Sequence, residues 1–217
     1  MNRGDPHNPP EPDRRKAPRT DPQRTAHHDL IFAFARASEQ HDADVGDHLH
    51  HIRAIVELIA LQMGFVESDA EDLGYDAMLH DVGKLHVPAD VLNKRDELTD
   101  DERRLIQSHT TRGEAMLQQR PGTNRAASIA RSHHEAWDGT GYPDGLKGDD
   151  IPLAARITAA ADMLDALLAD RSYKDAWSYD RAIKAVLNER GRQLDPRVAD
   201  ALRAGDEAGT LRRVYES

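Results

Sequence analysis

The sequence predicts an all-α protein, a compact bundle of about seven helices joined by one long loop. Apolar residues recur every three or four positions along most of the chain, which is the spacing of one face of an α-helix. No run of β-branched residues alternates with polar ones, as a half-buried strand would require. Residues 137–152 are rich in glycine and proline, and we expect them to form a long structured loop between helices.

The N-terminal part is expected to contribute little to the folded domain. Residues 1–26 are rich in proline and nearly free of large apolar side chains, so we expect a disordered tail. Residues 27–41 are predicted to form a helix and a connection. The apolar segment 30–34 of that helix would pack on the main body or on a second copy, so the chain is expected to be a monomer or a homodimer. The main domain is predicted over residues 42–204, followed by a C-terminal tail, residues 205–217.

The most distinct predicted helix is amphipathic and ends at Gly64. Its apolar residues are three or four positions apart: Val45, Leu49, Ile52, Val56, Ile59 and Met63. Two capping-box patterns, Ser68 with Glu71 and Thr99 with Glu102, predict the starts of helices over about 69–82 and 100–118.

Four further helices complete the bundle. Apolar spacing predicts helices over about 123–136 and 153–169, and another that ends at Gly191. Asp195 and Pro196 have the character of an N-cap and a first helical residue, so a last helix is predicted to begin there.

Composition excludes several classes of protein. The net charge of −10 argues against binding to duplex nucleic acid through a basic face. The absence of cysteine excludes disulfides and thiolate metal sites, so a metal ion would need His, Asp or Glu ligands. The N-terminus lacks the apolar core of a signal peptide, and no stretch approaches the ~20 apolar residues of a membrane span. We therefore expect a cytoplasmic protein without a membrane partner.

Candidate metal ligands lie on the inward faces of five predicted helices. Burying so many imidazoles and carboxylates without partners would cost several kcal/mol each, so we expect them to share metal ions. The count exceeds what one ion can bind, which predicts at least two ions of the iron, manganese, nickel or zinc type. The candidates are His48, His80, Asp81, His109, His133, His134 and Asp162. His50, His51 and His86 are expected to be surface or supporting groups.

Five sequence stretches occur in a recognisable order. They are VGDHLHHI at 45–52, HDVGKL at 80–85, SHTTRGEAML at 108–117, HHEAWDGTGYPDGLKGDDIPLAARI at 133–157 and AADMLDALLADRSYK at 160–174. The chain resembles the HD-GYP family, a branch of the HD superfamily of metal-dependent phosphohydrolases. The resemblance covers about residues 42–204, and we call residues 137–152 the GYP loop.

The resemblance implies a helical HD domain that hydrolyses the bacterial second messenger cyclic di-GMP to pGpG, GMP or both. The nucleophile would be a hydroxide between two divalent ions, iron or manganese. The family's ligands fall on the same seven residues, and Asp81 would bridge the two ions. Lys84, Arg171 and Lys174 would contact the substrate, and Asp165 would orient a metal-bound water.

Three features of the resemblance leave alternatives open. Family members with a third metal have a glutamate where this sequence has Asp44, so the resemblance leaves a third ion undecided. Tyr142 and Trp137 would either line the nucleotide cleft or fasten the GYP loop to the core, and Tyr142 is our candidate substrate contact. The family's loop is linked with binding to diguanylate cyclases, the GGDEF domains, which is a further possible partner.

Other functions fit the same residues. The metal site does not select a base, so the substrate could be another cyclic dinucleotide such as cyclic GMP-AMP. The chain could also be a weakly active module that binds cyclic di-GMP or a GGDEF domain. A mixed-valence di-iron oxygenase on the same scaffold is the third alternative.

Overall fold

The computed structural model describes residues 21–38, 47–118, 120–169 and 176–216, and these contain ten α-helices and no β-strand. The prediction of an all-α fold is confirmed. The helices are α1 Pro22–Ser38, α2 His48–Gln62, α3 Glu67–Ala77, α4 Ala89–Leu92, α5 Asp100–Gln107, α6 His109–Leu117, α7 Asn124–Ser132, α8 Leu153–Leu168, α9 Tyr179–Asn188 and α10 Pro196–Glu207. None of these described helices is long and apolar enough to cross a bilayer.

Helix α2 lies at the centre of the bundle and packs against α3, α8 and α10. Its predicted apolar face is confirmed, since Ile52, Val56 and Ile59 are fully buried. The helix ends as predicted, with Gly64 just beyond it at a φ of 89°, a left-handed conformation that glycine adopts without strain. Val45, the first residue of the predicted face, lies outside the described residues.

A second apolar cluster packs α1 against the ends of α3, α6 and α7. Ile31 and Ala35 of α1 are buried in it, with Phe32 and Phe34 partly buried beside them. The apolar segment of α1 therefore packs within the chain, while Leu30 is exposed.

The structure differs from the predicted boundaries at both ends. Helix α1 begins at Pro22, so residues 22–26, assigned to the tail, are helical. Helix α10 continues to Glu207, and Leu211 beyond it is fully buried against the main core. The C-terminal residues are thus part of the packed domain, because the apolar side chains of Leu211, Val214 and Tyr215 cover α2 and its neighbours.

Helix starts follow the predicted caps in two of three cases. Thr99 and Glu102 form a full capping box at α5, and Asp195 caps α10 with Pro196 as its first residue. The predicted box of Ser68 and Glu71 is wrong. Helix α3 begins at Glu67, two residues before the predicted first helical residue, because the carbonyl of Val66 accepts the amides of Asp69 and Ala70.

Three predicted helices end or break where a candidate ligand is placed. The predicted helix 100–118 is two helices, α5 and α6, which meet at Ser108 so that His109 begins α6. The helix predicted to reach residue 136 ends at Ser132. Helix α3 ends at Ala77, so His80 and Asp81 lie in tight turns before a 3₁₀ segment, Val82–His86, and not on the helix as predicted.

Gly83 in that 3₁₀ segment allows a close backbone approach to α6. A Cβ atom at Gly83 would lie 1.9 Å from the carbonyl oxygen of His109. Only glycine therefore brings the turn that holds His80 and Asp81 against the first turn of α6.

Candidate metal centre

The seven predicted ligands form two adjacent groups. In the first group, one ligand atom from each of Asp81, His109, His133 and His134 lies within 4.8 Å of every other. The second group meets the same limit with His48, His80 and Asp162. Five segments of the chain supply these side chains: α2, the turns after α3, the start of α6, the turns after α7, and α8.

Asp81 lies between the two groups. Its Oδ1 is 3.2 Å from Nε2 of His109 and 3.7 Å from Nε2 of His133, both in the first group. Its Oδ2 is 3.3 Å from Nε2 of His80, in the second group. The two oxygens of one carboxylate thus face different groups, which is the arrangement a bridging ligand needs.

Backbone carbonyls fix the tautomers of three histidines. Nδ1 of His80 donates to the carbonyl of Ala77 at 2.9 Å, and Nδ1 of His109 donates to that of Ile106 at 2.7 Å. Nδ1 of His133 donates to two carbonyls at the end of α7. Each ring therefore turns its Nε2 towards the centre, as metal-binding histidines do.

The centre contains buried polar atoms that no protein group satisfies. Nε2 of His80 and Oδ1 of Asp81 are buried and have no hydrogen-bond partner. Nε2 of His109 lies 3.4 Å from Nε2 of His133, although the Nδ1 protons of both rings are engaged elsewhere. Facing lone pairs and an orphaned carboxylate oxygen are unfavourable alone, and a cation satisfies both. The donor set therefore fits divalent metal ions.

The local electrostatics favour the ligating forms in the first group. Burial lowers the pKa of His109 to about 4 and also lowers that of His134, so both imidazoles are neutral at pH 7. Burial opposes ionisation of Asp81, but the charges of Lys84 and His80 outweigh it and hold its pKa well below the usual value. At His80, Asp81 and Asp162 overcome burial and raise the pKa to about 9. A metal ion would replace that proton.

Lys84 brings positive charge to the edge of the centre. Its Nζ lies 2.5 Å from Oδ2 of Asp81, one turn along the 3₁₀ segment. The Lys84 side chain is 26% exposed, so a bound molecule can reach it. This placement suits the predicted contact with a phosphate.

Asp165 lies behind the second group instead of facing it. Nδ1 of His48 donates to its Oδ2 at 2.6 Å, and Nδ1 of His51 donates to its Oδ1 at 2.8 Å. The histidines oppose the burial of Asp165 and keep its pKa below the usual value, so it is ionised. Because both oxygens carry histidine partners, the geometry favours a positioning role over the predicted contact with a water.

The GYP loop closes over the first group. The ring of Tyr142 stacks on that of His134, with centroids 4.8 Å apart. Gly141 makes this approach possible, because a Cβ there would lie 2.3 Å from the amide nitrogen of Ala136. The carboxylate of Glu135 accepts the amides of Asp144 and Leu146, so it anchors the loop from within.

Trp137 fastens the loop to the segment before α10 and to two arginine side chains. The guanidinium groups of Arg156 and Arg197 lie 5.5 and 5.8 Å from the centre of its ring. Its amide donates to the carbonyl of Gln193 at 3.0 Å. These contacts match the role of a clamp for Trp137, whereas Tyr142 faces the cleft.

A cleft of about 360 Å³ opens beside the centre. Metal-ligand candidates and loop residues line one side, and small or apolar residues of α8 line the other. The lining includes His133, His134, Thr140, Tyr142, Asp162, Met163 and Gln193. This volume admits a nucleotide-sized part of a ligand next to the ligand groups.

Three predicted site residues lie outside the part of the chain that the structure describes. Conversely, the structure gives roles at the site to two residues, Glu135 and His51, for which the sequence did not predict them. Asp44, Arg171 and Lys174 lie outside the described residues. The loop anchor Glu135 was missed, although its place directly after the paired histidines is a signal for it. His51 was assigned only a surface or supporting role, and its contact with Asp165 has no signature in sequence spacing.

The comparisons with known proteins agree with this geometry. The family model described as HD domain matches residues 26–198. The chain belongs to the HD domain family. Its motifs and its relatives place it in the HD-GYP branch of that family, as the sequence predicts.

Curated relatives are similar over most of this chain. The cyclic di-GMP phosphodiesterase response regulator RpfG of Xanthomonas campestris is 43% identical over 82% of this chain and 47% of its own length. The 3′3′-cGAMP-specific phosphodiesterase 2 of Vibrio cholerae is 38% identical over 80% of this chain and 34% of its own length. The chain therefore spans less than half the length of these relatives.

A solved structure shares the fold of this HD-GYP domain. The crystal structure of a cyclic GMP-AMP-specific phosphodiesterase from Vibrio cholerae superposes with a TM-score of 0.64 at 21% identity. The alignment covers 87% of this chain and 53% of that one. The helical HD fold is thus confirmed independently of sequence identity.

Proposed function

We propose that this HD-GYP domain is a phosphodiesterase that hydrolyses cyclic di-GMP to pGpG, GMP or both, with two divalent metal ions as cofactors. The observation that carries the proposal is Asp81, whose two oxygens face two separate ligand groups. Relatives named as cyclic di-GMP phosphodiesterases support the choice of substrate. The expected compartment is the cytoplasm.

The two ligand groups would each hold one ion. Asp81, His109, His133 and His134 would hold the first, and His48, His80 and Asp162 the second, with Asp81 shared. The mixed imidazole and carboxylate ligands, without thiolate, favour iron or manganese. Two such ions would supply an activated water at neutral pH and would neutralise charge on a phosphodiester. Asp44 is the candidate ligand for a third ion.

The surrounding residues would bind and orient the substrate. Lys84 would hold a phosphate oxygen, and Arg171 and Lys174 would contribute further positive charge. This concentration of cations explains how a chain of net charge −10 can attract an anionic messenger. Tyr142, at the edge of the cleft, would contact the nucleotide from the GYP loop. Asp165 would act indirectly, by holding His48.

A second candidate substrate is 3′3′-cyclic GMP-AMP. A relative and a solved structure named as specific for this dinucleotide support it. Metal ions in the ligand groups would contact phosphate and water and not the bases, so the groups would serve either substrate. The residues that line the cleft would then determine which of the two dinucleotides is preferred.

The decisive experiment compares both dinucleotides under identical conditions. Protein purified anaerobically and loaded with Fe(II) or Mn(II) is incubated with each, and the products are separated by chromatography. We expect linear products from the wild type and from the control Asp101→Ala, which alters an exposed aspartate of α5. The Asp81→Ala variant should yield none. Intact cyclic di-GMP with consumed cyclic GMP-AMP would reverse the order of substrates.

Two other outcomes would overturn the proposal. Binding of cyclic di-GMP by calorimetry without turnover would favour a regulatory module. Turnover that persists in Asp81→Ala would mean that the two ligand groups are not the catalytic centre.

Binding of a partner protein to the GYP loop is a separate proposal. Docking of a GGDEF domain on this loop is tested by replacing Tyr142 and measuring turnover and GGDEF binding separately. Loss of binding with intact turnover would support docking.

A further inference from the structure

One metal-ligand candidate is oriented in a different way from its neighbours. His80, His109 and His133 each donate Nδ1–H to a carbonyl of the adjoining backbone, three or four residues earlier. Nδ1 of His48 instead donates to Asp165, which lies 117 residues away on α8. The orientation of His48 therefore depends on tertiary packing.

Asp165 is itself held by two other side chains. It is 1% exposed, and its Oδ1 accepts a hydrogen bond from Nδ1 of His51 at 2.8 Å. The hydroxyl of Tyr215 donates to the same oxygen at 3.2 Å. A carboxylate with three donors on its two oxygens has little freedom to rotate.

Tyr215 comes from the far end of the chain. It ends the 3₁₀ segment Arg212–Tyr215, which contacts α2, and Leu211 just before this segment is fully buried. The ring of Tyr215 lies 4.5 Å from that of His51, centroid to centroid. Burial and the charge of Asp165 raise the pKa of the phenol, so it keeps the proton it donates.

Beyond Asp165, the ring of Tyr215 is supported by Tyr179. The two rings meet at an angle of 66°, with centroids 6.4 Å apart. The hydroxyl of Tyr179 donates to Asp206 and not to Asp165. Tyr179 therefore shares the packing of Tyr215 without its link to the centre.

We propose that Tyr215 and His51 are positioning residues for His48, so that the segment after α10 completes the second ligand group. The inference rests on the proposed function only in its metal ions, not in its substrate. Tyr215 lies beyond residues 26–198, the part matched by the HD domain family. This chain thus uses a C-terminal tyrosine to orient a ligand near the start of its domain.

The test measures metal binding without nucleotide. Metal-free full-length protein is titrated with Co(II), followed by its visible absorption, and the bound metal is counted by mass spectrometry. Removing a partner of a metal-ligating histidine typically weakens metal affinity about 10- to 100-fold. We expect Tyr215→Ala to weaken the affinity for one of the two ions by about 10-fold and to leave the affinity for the other unchanged. Tyr215→Phe, which keeps the ring, should have a smaller effect of the same kind.

Matched variants separate positioning from general packing. Tyr179→Phe removes a hydroxyl outside the chain of contacts and should bind both ions as the wild type does. His51→Leu should weaken the same ion as Tyr215→Ala, whereas His51→Asn, whose amide can replace Nδ1 as a donor, should restore most of the affinity.

The outcomes for this inference and for the proposed function are distinguishable. If Tyr215→Ala and His51→Leu bind both ions with wild-type affinity, the inference about Tyr215 and His51 is overturned, and the proposed function is unaffected. An equal loss in Tyr179→Phe would also overturn it, since the effect would then be one of packing. A wild-type protein that binds no Co(II) would overturn the proposed metal centre as well.

Discussion

Lys84 lies beside the candidate metal ligands, but we expect it to bind the substrate and not a metal ion. Its ammonium lies against Asp81, yet about a quarter of its side-chain surface is exposed. A lysine is a poor metal ligand while protonated, so we expect Lys84 to contribute positive charge towards an anionic substrate.

Replacing Lys84 should therefore impair turnover and spare the metal ions. A hydrogen bond to a charged group contributes about 1.5–3 kcal/mol, so Lys84→Met should lower kcat/KM about 10- to 100-fold. Metal content should stay at the wild-type value. Steady-state kinetics and metal analysis on one preparation check both statements.

The control for Lys84 is another partly buried lysine. Lys94 pairs with Glu102 at the start of α5, and neither residue belongs to a ligand group, so Lys94→Met should keep wild-type kcat/KM. Loss of an ion in Lys84→Met would contradict the assignment, because Lys84 would then support the centre and not the substrate.

Two of the candidate ligands, His48 and Asp162, were predictable because they lie in amphipathic helices, whereas His80, Asp81, His133 and His134 lie in turns beyond helix ends. His48 and Asp162 share faces with buried apolar residues, and the helices that carry them formed as expected. The contact of Asp165 with His48 and His51 was not predictable. It joins α2 and α8 across more than a hundred residues, and spacing within one helix holds no information on such a contact.

The end of α3 was not predictable from local sequence patterns. After α3, the amides of Met78, Leu79 and His80 bond to carbonyls three residues back, so the helix tightens into turns. The sequence there is compatible with continued helix, which is why residues 69–82 were predicted as one. The turn is required by the fit of Gly83 against α6, a tertiary contact.

The GYP loop provides a test at the level of an element. Gly141 has an ordinary negative φ, but a Cβ there would contact backbone atoms of Glu135 and Ala136 at 2.5 and 2.3 Å. Overpacking against backbone costs about 3 kcal/mol, so Gly141→Ala should lower the free energy of unfolding by about that amount. It should also displace Tyr142 from His134 and reduce turnover more than 10-fold.

A second glycine serves as the matched control for Gly141. Gly122 has a φ of 84° and nothing within 4 Å of an added Cβ. Gly122→Ala should cost only backbone strain, about 1 kcal/mol, with unchanged turnover. Urea unfolding and product chromatography measure both pairs of values, and equal turnover in the two variants would contradict the role given to the loop.

The start of α5 predicts a pH dependence that does not involve the metal centre. Hydrogen bonds from Lys94 and from the Thr99 cap lower the pKa of Glu102 to about 2. A carboxylate whose pKa is lower in the folded state stabilises above its unfolded pKa, near 4.5, and loses this effect as the pH falls.

Glu102→Gln should therefore reduce stability at pH 7 and progressively less at lower pH. Glutamine can keep the capping box but not the charge pair with Lys94. We expect the urea midpoint of the variant to lie below that of the wild type at pH 7, and the gap to narrow between about pH 5 and pH 2. The measurement is made in chelator, and a gap that is independent of pH would exclude the charge pair as its cause.

At the scale of the whole molecule, we expect the two ligand groups to lower the stability of the metal-free fold, and bound metal ions to restore it. Buried atoms without partners, such as Nε2 of His80 and Oδ1 of Asp81, destabilise the metal-free fold. The candidate ligands come from α2, the turns after α3, the start of α6, the turns after α7, and α8, so bound ions would link most of the bundle. Metal binding and global stability should therefore be coupled.

This coupling predicts a shift in thermal unfolding. An ion at 100 times its Kd stabilises the folded state by about 2.7 kcal/mol, and each kcal/mol raises Tm by about 2–4 °C at this chain length. Adding Mn(II) to chelator-treated wild type should raise Tm by about 5–10 °C in calorimetry. Asp81→Asn, which weakens the shared ligand but preserves its shape, should show a much smaller shift, whereas Asp101→Ala should match the wild type. An equal shift in Asp81→Asn would mean that the stabilising ions bind elsewhere, and the five-segment centre would lose its role in holding the bundle together.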